Sequence, residues 1–76
     1  MTAGAITKDA ADCASYLVLV RSGDNWTRFD VAVDDFLMRH TGEKSLATLR
    51  QHLAAAYQAV APSDAEAHQR ILNIIL

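Results

Sequence analysis

Apolar positions repeat every three or four residues through the second half of the chain, whereas in the first half they cluster or alternate. From Ser45 to Ala61, the residues Leu46, Leu49, Leu53, Ala56 and Val60 keep helical spacing behind a serine able to cap a helix start. That pattern predicts a helix over 45–61. Beyond Pro62, the string Ser63, Asp64, Ala65, Glu66 has the form of a capping box, in which serine hydroxyl and glutamate carboxylate take up free amides. It predicts a last helix over 64–76. Glu66, Gln69, Arg70 and Asn73 fall on one side of it, and Ala67, Ile71, Ile74 and Ile75, flanked by Leu72 and His68, on the other. A shorter helix over 34–40 would bury Phe36 and Leu37, with Met38 beside them, and stop at Gly42, a residue suited to the left-handed conformation that closes helices.

The fold class turns on residues 16–33. Tyr16, Leu17, Val18, Leu19 and Val20 form a run rich in branched side chains, residues 22–25 form a turn cluster, and Phe29, Val31 and Val33 alternate with Arg28, Asp30 and Ala32. Branched content, alternation and turn chemistry predict a β-hairpin over 16–33. The expected class is therefore α+β, a hairpin followed by three helices. The alternative is an all-α four-helix bundle, with one helix over 8–22 closed by Gly23 and another over 25–40, because Trp26, Phe29, Val33, Phe36 and Leu37 also keep helical spacing.

Seventy-six residues make one domain, 1–76, with residues 1–6 expected to be flexible. Hydrophobic residues form 51% of the chain, too many for disorder. A core this small usually gains support from disulfides, a metal or self-association. The single cysteine, Cys13, allows no internal disulfide, which leaves self-association. Burying a large apolar side chain is worth about 1.5–3 kcal/mol, so Ile71, Ile74, Ile75 and Leu76 are expected in the core or in a homodimer interface.

Seven Lys and Arg against nine Asp and Glu give a net charge of −2, so no global field draws the chain to nucleic acid or an anionic membrane. Any polyanion contact has to be local. No run approaches the ~18 apolar residues that a membrane span needs, and a cytoplasmic protein is expected.

The string His40, Thr41, Gly42, Glu43, Lys44 resembles the linker between tandem zinc fingers. A finger also needs two cysteines and two histidines at fixed spacing, and one cysteine with His40, His52 and His68 in three separate segments excludes it. Residues 36–53, a short helix, a glycine turn and a second helix, resemble a helix-turn-helix DNA reader, whose second helix meets base edges with its N-terminal side chains. The resemblance makes Thr48, Arg50 and Gln51 base readers, Arg39 and Lys44 phosphate contacts, and Leu46, Leu49 and Leu53 the packing face. Two departures stand out: Gly42 lies a residue further from Ser45 than in the usual turn, and Glu43 would face phosphate. The string Gly42, Glu43, Lys44, Ser45, Leu46, followed by Thr48 and Leu49, resembles the site at which carrier proteins bear phosphopantetheine, with Lys44 in place of the family's aspartate. The plainer role for Ser45 is a helix cap.

For catalysis the yield is poorer. Asp34 and Asp35 are adjacent and point apart on a helix, Cys13 has no histidine near it in sequence, and the glycines Gly4, Gly23 and Gly42 form no phosphate loop. No enzyme, cofactor or metal is expected. By elimination, the expected function is a protein–protein interaction module of the kind found among phage and plasmid accessory proteins. It would act as an inhibitor or adaptor by covering a partner surface, as a homodimer. Aromatic and arginine side chains dominate such contacts, which nominates Trp26, Arg28 and Tyr57. The alternatives are the helix-turn-helix DNA binder and, more remotely, the carrier-like domain on Ser45.

Overall fold

The branched run at residues 16–20 belongs to a helix. The computed structural model describes residues 2–73 and contains four helices, α1 (Thr2–Ser22), α2 (Trp26–His40), α3 (Leu46–Val60) and α4 (Ala65–Asn73), with no strand among the described residues. The expected hairpin over 16–33 is therefore corrected to the end of one helix, a three-residue connection and most of the next. The helix expected over 34–40 is the second half of α2. The all-α alternative matches the structure.

Burial gives the physical reason. In a strand, Phe29, Val31 and Val33 would share one face; here Phe29 and Val33 are fully buried while Val31 is 63% exposed. Phe29, Val33, Phe36 and Leu37 form one inward stripe on α2, and Ile6, Ala10, Cys13, Ala14, Leu17 and Val20 form the matching stripe on α1. Tertiary packing of these two stripes overrides the β preference of the valines.

The turn cluster is likewise a helix stop followed by a helix start. The Asn25 amide donates to the Val20 carbonyl at 3.4 Å and the Asp24 amide to the Arg21 carbonyl at 3.0 Å, the paired bonds of a Schellman closure. Asp24 supplies the left-handed residue, at φ 56°, while neither Gly23 nor Gly42 has positive φ. Asn25 then turns its side chain to the next helix and accepts the Arg28 amide at 3.0 Å.

Ser45 caps α3, accepting the Thr48 amide at 3.2 Å. Leu49, Leu53, Ala54 and Tyr57 face inward, whereas Leu46 and Val60, counted in the apolar repeat, stay exposed. The capping box expected from Ser63 is replaced by Asp64, whose Oδ1 accepts the Ala67 amide at 3.2 Å, while Glu66 binds Arg21. A carboxylate also suits the positive end of the helix dipole. Ala67 and Ile71 are the buried residues of α4, and Ile74, Ile75 and Leu76 lie outside the described residues. Helix α1 runs along both α2 and α3, α3 packs on α4, and α2 and α3 touch less.

Candidate functional site

The three residues nominated for a protein contact have different surroundings. Trp26 is half-buried, its indole ring carrying the guanidinium carbons of Arg21 and Arg70 at 4.4 and 4.6 Å from its centre, with Phe29 edge-on at 5.1 Å. Arg21 is also paired with Asp64 and Glu66 at 3.2 and 3.1 Å. Arg70 makes a two-pronged bond to Asp30 at 2.8 and 2.7 Å, which raises its pKa. The indole thus ties α1, α2 and α4 together. Tyr57 is 1% exposed and donates its hydroxyl proton to Asp64 at 2.7 Å, so its ring is a core element. Arg28 is exposed and has no ion-pair partner among the described residues.

The helix-turn-helix residues separate in the same way. Arg39 binds Asp9 at 3.0 Å and also Asp35, so its charge is neutralised within the fold. Lys44 and Gln51 are exposed. Thr48 is half-buried and its hydroxyl accepts from Ser45 Oγ at 2.9 Å. Arg50 is half-buried, with Nε inaccessible and unpartnered, which places it beside the packed face of α3 and away from its outward one. That outward face comprises Ala47, Gln51, His52, Ala55, Gln58 and Ala59. α3 carries no acidic residue, although the chain has nine. Ser45, bonded to both the amide and the hydroxyl of Thr48, is placed as a helix cap.

Sequence reasoning missed a groove between α1 and α2. It is open, encloses about 480 Å³, and has Cys13 and Ala32 at its floor. Tyr16, Leu19 and Val31 stand exposed along this face, Leu19 and Tyr16 by 72% and 44%. Asp9, Asp12 and Asp35, with Arg39 among them, lie toward one end and Arg28 toward the other. The signal is present as a second stripe, Asp12, Tyr16 and Leu19, at helical spacing, and reading that segment as a strand hides it. Burial pushes the Cys13 thiol up to about 11, so it is protonated and unreactive at neutral pH.

No group of three metal-ligating side chains occurs among the described residues, and no described helix is long and apolar enough to cross a membrane. No protein-family model, curated protein or solved structure matches the chain.

Proposed function

We propose that the chain is a non-enzymatic, cytoplasmic DNA-binding regulator of helix-turn-helix type, with α3 entering the major groove. The observation that carries this is the acid-free α3, which follows α2 across a five-residue connection and turns an outward face of alanine and amide side chains to solvent. A helix approaches the phosphate-lined groove more readily where it carries no carboxylates and where small residues leave room for the longer base-reading side chains. Alanines 47, 55 and 59 meet the second condition, and the Gln51 amide matches adenine's paired donor and acceptor. Lys44, exposed and unpaired just before the helix, serves phosphate. Arg50 is a flanking contact rather than a base reader, and Arg39, held by Asp9 and Asp35, takes no part.

The test is selection of bound duplexes from a random library, followed by titration against salt. Contacts from Lys44 and Arg50 predict a slope of about −2 in log K against log salt for each bound copy, at about −0.9 per phosphate. Lys44→Ala should reduce that slope by about one and weaken all sequences alike, whereas Gln51→Ala should relax one base position. No selected sequence, or binding indifferent to both variants, would overturn the reading.

A second reading, a steric inhibitor or adaptor of another protein, is favoured by the exposed Tyr16, Leu19 and Val31 beside Arg28. It predicts one captured protein, lost on Arg28→Ala and unaffected by nuclease.

A further inference from the structure

We infer that the groove between α1 and α2 is the face on which two copies of this chain pair, antiparallel and about a twofold axis. Three features select a second copy as the occupant. The first is apolar supply: Tyr16, Leu19 and Val31 account for three of the six large apolar side chains exposed among the described residues, and all three border the groove and its extension. Facing each other, two such helix pairs would form a four-helix bundle with these residues at its seam.

The second is that the charges along the face are self-complementary. Arg28 and Asp35 lie seven residues apart on α2, about 10 Å along the axis and on one side of the helix. Val31 lies between them, and Asp12 lines the Asp35 end from α1. A twofold axis crossing the helices near Val31 reverses one groove over the other, so Arg28 of each copy meets the far end of its mate's groove, where Arg39 is already matched by Asp9 and Asp35 and Asp12 is the carboxylate left to receive it. The same contact then forms twice.

The third feature is that the side chains of Arg28 and Asp12 are available. Neither makes a hydrogen bond or ion pair among the described residues, whereas Arg21, Arg39 and Arg70 are all paired within the fold. Lys8, one turn before Asp12, is exposed and leaves it unpaired. The pairing does not depend on the DNA-binding reading, and its failure would leave that reading standing.

Sedimentation of the full chain over a concentration series tests the proposal, with circular dichroism to show that each variant is folded. The wild-type chain should be dimeric, and Val31→Asp, a change at an exposed position, should leave a folded monomer. Arg28→Glu and Asp12→Lys should each weaken the dimer by about tenfold or more, because each turns two symmetry-related attractions into repulsions. Mixing those two variants should restore a heterodimer of near wild-type strength, since the introduced glutamate then faces the introduced lysine while the remaining Arg28 faces the remaining Asp12. A wild-type chain that stays monomeric would overturn the proposal, as would a dimer indifferent to Val31→Asp or variants whose mixture fails to recover association.

Discussion

Nε2 of His40, at the last position of α2, lies 2.7 Å from Oδ2 of Asp9 on α1, and its Nδ1 lies 3.3 Å from Oε2 of Glu43. Both ring nitrogens face carboxylates, which suits the imidazolium, the form that donates from both. The bond to Asp9, joined by that to Glu43, outweighs burial and raises the His40 pKa above its ordinary 6.5. At Asp9, burial works against the charge, but the bonds from Arg39 and His40 outweigh it and hold the carboxyl below its ordinary 3.8.

These opposite shifts predict a stability plateau. The His40 contribution is complete below 6.5, where the unfolded histidine is also protonated, and is lost as pH rises through the raised folded value. The Asp9 contribution is complete above 3.8 and is lost as pH falls through the lowered folded value. Urea unfolding across pH should therefore show stability falling on the alkaline side, and His40→Gln should flatten that limb and shrink the acid limb without abolishing it, since Arg39 still holds Asp9. A wild-type curve level from about pH 6 to about pH 9 would refute the assignment.

Trp26 gives the second prediction. Its ring packs on Phe29 and carries two guanidiniums that are themselves held by Asp30, Asp64 and Glu66. Truncation to alanine removes a half-buried indole and its two cation–π contacts, and should cost about 3 kcal/mol in all. In a double-mutant cycle, Trp26→Ala and Arg70→Ala should be measurably non-additive. Strict additivity would show that the stacking contributes nothing.

The sequence carries most of α3 and α4, because each apolar stripe there is long, has one period and begins at a polar cap. Residues 16–33 mislead for a local reason. Val18, Val20, Val31 and Val33 suit a strand, and Phe29, Val31 and Val33 alternate over too short a span to separate the two periods. Trp26, Phe29, Val33, Phe36 and Leu37 together do hold the answer. The surroundings of Trp26 and Tyr57 are not legible at all, since they depend on Arg70 and Asp64 arriving from the far end of the chain or across a turn. Arg50 and Thr48 lie on α3 as its spacing predicts, but the outward face of that helix is decided by which sides meet α1 and α4.

Tyr57 and Asp64 support a third prediction. The phenol lies within the core and meets the residue that caps α4, 2.7 Å away. Burial, followed by the bond to the charged Asp64, pushes the Tyr57 hydroxyl up to about 12. At Asp64, burial opposes the charge, but bonds from Tyr57, the Ala67 amide and Arg21 lower the pKa from its ordinary 3.8. Tyr57→Phe keeps the ring and removes only the donor, so it should cost about 1.5–3 kcal/mol, the range for a hydrogen bond to a charged group. The loss should shrink as pH falls through the lowered Asp64 value, where protonation removes the charge in both proteins. An equal loss at neutral and strongly acid pH would show that the hydroxyl acts through packing alone.

The turn between α1 and α2 yields a prediction opposite to the one its glycine suggests. Gly23 has no positive φ, and a Cβ there would meet the Val20 carbonyl oxygen at 3.5 Å, an ordinary contact. Asp24 holds the left-handed position, at φ 56°, and its pair with Arg21 is 3.4 Å long and largely exposed. Left-handed backbone costs an L-residue about 1–2 kcal/mol, less for aspartate, and nothing for glycine. Asp24→Gly should thus stabilise the chain by about 0.5–1 kcal/mol despite losing an exposed ion pair, and Asp24→Ala should destabilise it. Gly23→Ala should be neutral or mildly stabilising, because it restricts the unfolded chain without straining the folded one. Thermal unfolding of the three variants decides the matter. If Gly23→Ala proves the most damaging, Gly23 is the left-handed residue and α1 closes one residue earlier.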